Sequence, residues 1–280
     1  MFALSRAALA LVSALACAVA LAAPAPLCLR APSDAPVSLH GMPNHDKNGG
    51  PTQAMLYPAP GLAGFVGALA AHGFINGAMR DKETARMYAE ADAMLLPFQA
   101  TLADFKHHEL VKASLDQLGA GGARRSAPAG TAAASGETLV DSAPAFYMTA
   151  DQRALVLDNA ISVLPNGAAN PYQQVIRVVS PVQAVDTTAA AWFDNHAALL
   201  RRVSARMLAQ SIEIALADMP PGATGTEPFR TVRYPEGGVE RMERAQVIRE
   251  HCGLLVLRTL RGNLMAVPGG DGAACAQAVL

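Results

Sequence analysis

An α+β fold is predicted, and three observations predict it. Before residue 119 the apolar residues recur at three- and four-residue steps. After residue 136 they alternate or run together in strand-length blocks separated by turn residues. One long amphipathic pattern, 189–219, then stands between two groups of strand blocks. Strands segregated from helices in this way predict an antiparallel sheet packed by one long helix, behind an N-terminal helical segment.

Residues 1–22 read as a signal peptide. Arg6 is the single cation ahead of an uncharged apolar run from Ala7, and Ala20-Leu21-Ala22 has the small-x-small form that precedes cleavage, with Ala23 as the first mature residue. A membrane anchor is the competing reading. The run is short and Ala-dominated, and Pro24 and Pro26 end it. Ala14-Leu15-Ala16-Cys17 is close to a lipobox, so lipid attachment at Cys17 is the alternative to cleavage. Against it, the chain stays apolar through Ala23.

Residues 23–60 hold no apolar period and are rich in Pro, Gly, Asn and Asp, which predicts an irregular arm. His40, His45 and Asp46 lie within it; two solvated histidines on a loop explain them without a metal. The helical region, 61–118, opens on a segment that carries no formal charge from Gly61 to Met79. Gly61, Gly64 and Gly67 recur every third residue, and Gly73 and Gly77 form a G-x-x-x-G pair. So many glycines make a poor helix in water, at up to about 1 kcal/mol each relative to Ala. They suit a helix against which another backbone packs closely. The readings are a buried helix, a helix for self-association, partner or membrane contact, and a single membrane span. Charged amphipathic helices follow, with Pro97 as a break and a second helix over 99–118.

The stretch 119–136 is rich in Gly, Ala, Ser and Pro and reads as a flexible linker, leaving 137–280 as the α+β domain. Strands are predicted over 137–141, 145–148, 153–164 and 172–179, with Pro165-Asn166-Gly167 as a turn. Asp186, Thr187 and Thr188 offer caps for the long helix, whose stripe is Trp192, Leu199, Val203, Met207 and Ile214. Pro220-Pro221-Gly222 ends it. Strands at 229–234, 243–250, 254–259 and 264–267 close the chain.

The net charge of -1 gives no basis for a polyanion partner, so nucleic acid is not expected. No nucleophile elbow, P-loop or zinc-protease motif occurs, and no catalytic residue, cofactor or metal site is indicated. Asp194-Asn195-His196, beside Trp192, is either a small polar site or a helix surface. Arg201, Arg202 and Arg206 form a basic face, and His107-His108-Glu109 reads as a solvated one. Export places the cysteines in an oxidising compartment, where a disulfide between Cys252 and Cys275 is expected, with Cys28–Cys275 as the other pairing.

Several stretches together resemble a loose group of uncharacterised exported or lipoprotein-like envelope proteins of Gram-negative bacteria. They are the Gly-rich segment turning sharply charged at Arg80, the "LLPFQATLADFKHHELVKASL" helix, the "YMTADQRALVLDNAISVL" strands, the helix from Trp192 and the closing "LLVLRTLRGNLMAVP" hairpin. The resemblance implies envelope location and architecture, with no activity and no catalytic residues. The expectation is an exported, non-enzymatic cell-envelope protein, periplasmic or lipid-anchored, whose Gly-rich helix contacts itself, another envelope protein or the membrane. The alternative is a periplasmic enzyme with a site assembled from distant histidine and acid residues, His72, His196 and His251 among them.

Overall fold

The computed structural model describes residues 25–31, 35–43, 82–119, 121–219, 227–251 and 253–269. Cys17, Cys252, Cys275, His72, residues 1–22, and Gly61, Gly64, Gly67, Gly73 and Gly77 lie outside them.

The fold is α+β, built on one ten-stranded sheet. In chain order its elements are β1 (Leu27–Ala31), β2 (Ser38–Gly41), α1 (Lys82–Asp92), a 3-10 turn (Ala93–Phe98), α2 (Gln99–Asp104), α3 (His107–Leu115), β3 (Arg124–Pro128), β4 (Thr138–Met148), β5 (Leu155–Leu164), β6 (Tyr172–Val179), α4 (Ala189–Asp218), β7 (Arg230–Glu236), β8 (Val239–His251), β9 (Leu254–Thr259) and β10 (Leu264–Pro268). The strand order is β3-β1-β4-β5-β6-β10-β9-β8-β7, with β2 also on β4.

The sheet is mixed where an antiparallel one was expected. β4–β5–β6 and β10–β9–β8–β7 are antiparallel meanders, but β1 runs parallel to both β3 and β4, β2 runs parallel to β4, and β10 runs parallel to β6. Parallel neighbours need long connections. α4 lies in the connection between β6 and the closing strands, and α1 to α3 in the one between β2 and β4.

Two strands lie where an irregular arm is predicted, and β3 lies inside the predicted linker. In each case main-chain pairing on β1 or β4 supplies an order that local composition does not encode. The predicted helix over 99–118 is interrupted at Phe105. That residue is extended because its carbonyl accepts the Val37 N–H at 2.8 Å, while Pro36 bridges Lys106. Pro97 falls in the 3-10 turn, as a residue that cannot continue an α-helix should.

One face of the sheet packs under the helices. Leu29, Val140, Phe146, Leu157, Ile161 and Ile176 meet Leu95, Leu110, Trp192, Leu200 and Leu208 there, all essentially sealed from solvent. The other face has its own smaller core, with Val156 and Val179 facing Val232, Tyr234, Leu257 and Met265. It forms because the β7–β8 end of the sheet curls over. Gly237-Gly238, the turn of that hairpin, docks on the β4–β5 turn, where the Gly238 N–H donates to Asp151. Gly237 has φ +63, and a Cβ there would overlap the Asp151 carboxylate and the Thr149 hydroxyl. The closure therefore depends on glycine.

α4 starts and bends for reasons the sequence concealed. Thr188 makes no side-chain cap; Gln152 of the β4–β5 turn accepts the Ala189 N–H on Oε1 at 2.5 Å and the Trp192 Nε1–H on its carbonyl at 2.7 Å.

Candidate functional site

On β2, Ser38 and His40 are two residues apart and so share a face, the one opposite the helix-covered core to which Val37 and Leu39 belong. Asp92, the last residue of α1, meets them there. Its Oδ1 accepts the Gly41 N–H at 2.8 Å and its Oδ2 contacts His40 Nδ1 at 3.3 Å. Ser38 Oγ lies 3.0 Å from His40 Nε2. A carboxylate only accepts, so in the neutral imidazole a proton on Nδ1 faces Asp92 and Nε2 keeps its lone pair. The Ser38 hydroxyl then donates to Nε2. This is the order of roles, hydroxyl to base to orienting acid, that activates a serine.

The local backbone dictates the arrangement. Gly41 lies so close to the Ala91 carbonyl that α1 could not reach β2 past any side chain. That approach brings the Asp92 carboxylate onto both the Gly41 amide and the imidazole. The Tyr147 ring, opposite His40 on β4, stands 6.1 Å away centroid to centroid. The His40 and Asp92 side chains keep 29% and 36% of their exposure, so water and small solutes reach them.

Register extends the site along the sheet. Ser38 pairs with Ala145, Ala145 with Asp158 and Asp158 with Arg177, so all four lie in one row on one face. Asp158 and Arg177 form a bidentate pair at 2.7 and 2.6 Å, with both side chains nearly buried. Burial works against the guanidinium charge, but the Asp158 carboxylate outweighs it, with Glu236 adding to the effect, and raises the Arg177 pKa. Burial pushes the neighbouring Tyr234 phenol up as well. Arg241 holds Glu236 at 3.0 Å. Asp158, Arg177, Glu236 and Arg241 each have an opposite partner, so they read as a polar layer inside the smaller core.

The residues that sequence analysis singled out are scattered. Asp194, Asn195 and His196 are exposed on α4, on a break in the helix. Asp194 is extended, and Asn195, His196 and Ala197 have φ of 50, 58 and 59°. This left-handed turn shifts the helix phase, so Leu200, Ser204, Met207 and Leu208 are buried while Leu199 and Val203 are half-buried. Left-handed backbone costs a non-glycine residue roughly 1–2 kcal/mol. His196→Gly is therefore expected to raise stability by about 0.5–1 kcal/mol, after the entropy that glycine adds to the unfolded chain. Ala205→Gly, in the right-handed part, should lower it by about 1 kcal/mol or more. Urea midpoints of the two variants decide the sign.

His107 is buried, not solvated. Its Nδ1 has no partner among the described residues, and burial pushes its pKa down. Arg201 is engaged: it bonds Glu109 at 2.5 Å and the His196 carbonyl at 3.1 Å, and its guanidinium stands 4.8 Å over the Phe105 ring. The hydrogen bond from Arg201 holds the Glu109 carboxyl below its ordinary value. Cys28 is a free, fully buried thiol, pushed up by burial.

An open groove of about 770 Å³ at the β3 edge is lined by Lys112, Asp116, Arg124 and Arg125 among others. Arg124 is tied to the Leu115 and Leu118 carbonyls and Arg125 to Glu137, so those two cations already hold partners. Among the described residues there is no group of three or more His, Cys, Asp or Glu placed to hold a metal ion, and no helix long and apolar enough to cross a membrane.

No family model, curated protein or solved structure matches this chain. The Ser38–His40–Asp92 arrangement therefore rests on its own geometry. His40 was visible in the sequence only as one of two loop histidines. Ser38-Leu39-His40 has strand alternation, but nothing local announces an acid at position 92.

Proposed function

We propose that this chain is an exported cell-envelope protein whose Gly-rich segment makes contact with itself, another envelope protein or the membrane. The observation that carries the reading is the charge-free, glycine-periodic sequence from Gly61 to Met79, behind the apolar leader. The setting of its flanks supports it. The chain leaves β2 near Pro43 and returns in α1, and the contact of Gly41 and His40 with Ala91 and Asp92 ties the two flanks to one sheet edge. A contact element inserted there can engage a partner while the sheet stays intact.

Fractionation with mass determination of the N-terminus tests the export half. A chain starting at Ala23 in the periplasmic fraction, or an acylated Cys17 in the membrane fraction, is expected; an intact Met1 chain in the cytosol overturns it. For the contact half, Gly64→Leu and Gly67→Leu should change assembly size or membrane association while the circular dichroism of the sheet persists. Wild-type behaviour of both variants refutes it.

A second reading, an enzyme whose site is assembled from distant histidine and acid residues, is favoured by one observation: His40 and Asp92, 52 residues apart, meet beside a serine.

A further inference from the structure

We propose that Ser38 is a base-activated nucleophile that carboxylic esters acylate, an inference that rests on the enzymatic reading above. Three features carry it. Ser38 Oγ lies 3.0 Å from His40 Nε2, within reach of the lone pair that the neutral ring offers there. Asp92 stands 3.3 Å from Nδ1, which favours the neutral tautomer that exposes that lone pair. Asp92 is itself fixed, since its second oxygen accepts a backbone N–H from β2 at 2.8 Å, so the carboxylate cannot rotate away without losing that bond. A serine hydrogen-bonded to a histidine by surface chance would need neither of the last two. The rigid strand supplies Ser38 and His40, and the close seating of α1 on Gly41 supplies the acid.

In the acylation step the Oγ attacks the ester carbonyl carbon as its proton passes to His40 Nε2. The Oγ–C bond forms, the bond from that carbon to the alcohol oxygen breaks, and the departing alkoxide takes the proton from Nε2. Water then adds to the acyl carbon as its proton passes to His40 Nε2; the bond from that carbon to Oγ breaks and Oγ takes the proton back from Nε2, which frees the carboxylic acid and restores the hydroxyl. No oxidant or reductant enters. Asp92 acts through the imidazole and is a positioning residue. The partly open setting suits a short acyl group on a good leaving alcohol, because the site supplies a base and its orienter and leaves much of the activation to the ester.

The experiment uses the full mature chain with p-nitrophenyl acetate, following p-nitrophenol release and locating any acetyl adduct by peptide mass. The expected result is an acetyl group on Ser38 and a fall of about 100-fold or more in turnover for both Ser38→Ala and His40→Gln. Asp92→Asn should lower kcat with KM unchanged. Circular dichroism confirms that each variant is folded, and Ser38→Ala, which removes only one part-buried hydroxyl bond, keeps the test decisive if Asp92→Asn does not fold. Turnover that survives Ser38→Ala but not His40→Gln overturns Ser38 as the nucleophile and leaves the enzymatic reading standing. An absence of turnover overturns the ester proposal, and equal turnover in every folded variant overturns a catalytic role for this site as well.

Discussion

Asp158→Ala is expected to lower stability by about 3–5 kcal/mol, the usual cost of leaving one half of a buried ion pair alone. Arg177 is 7% exposed and its guanidinium is held at both Nε and Nη2 by the Asp158 carboxylate. Removing the carboxylate strands that charge in the smaller core, among Val156, Val179 and Tyr234. Glu236 still attracts the guanidinium, which places the expected loss toward the lower end of the range. Asp158→Leu combined with Arg177→Met removes both charges and should cost much less than either single change, because no uncompensated charge is left and the volume is refilled with apolar atoms. Guanidinium or urea midpoints for the single and double variants measure the difference. A single variant within about 1 kcal/mol of the parent would mean that water reaches the pair and screens it.

Gly41→Ala is expected to be the most damaging single methyl among the described glycines. The added Cβ would overlap the Ala91 carbonyl oxygen and carbon, which are backbone atoms of α1 and cannot swing aside as a side chain can. Either α1 is pushed off β2 or β2 is pushed off β4. Overpacking of this kind costs about 1–3 kcal/mol. Loss of the Gly41 N–H to Asp92 bond adds about 1.5–3 kcal/mol, because that bond is to a charged acceptor. The functional consequence is larger than the thermodynamic one. With α1 displaced, Asp92 no longer reaches His40 Nδ1, and any reactivity of Ser38 falls with it. Thermal unfolding reports the first effect and p-nitrophenyl acetate turnover the second. A variant with parental melting temperature and turnover would refute the close seating of α1 on Gly41.

The larger elements were legible because their signals are local. The strands Tyr172–Val179 and Leu254–Thr259 lie where they are predicted, and the long helix ends one residue before its predicted end. Each has enough apolar periodicity, flanked by turn residues, to declare itself. β1 and β2 have five and four residues, too few for a period to stand out among prolines, and their order comes from β4. Phe105 belongs to an apolar helical pattern, yet main-chain pairing with Val37 pulls it out of helix. The break at 194–197 was hidden because Asp, Asn, His and Ala carry no glycine or proline signal that would mark a left-handed turn inside an amphipathic pattern.

The sequence by itself determined the α+β class, the extent of the long helix and the last hairpin, because hydrophobic period and turn chemistry are written in neighbouring residues. The tertiary structure alone decided that the sheet is mixed, that its far end curls over to bury Asp158 with Arg177, and that His40 meets Asp92 beside Ser38. Those facts depend on strand register and on one close backbone approach at Gly41. Register and close approach join residues tens of positions apart, and no local pattern encodes that distance.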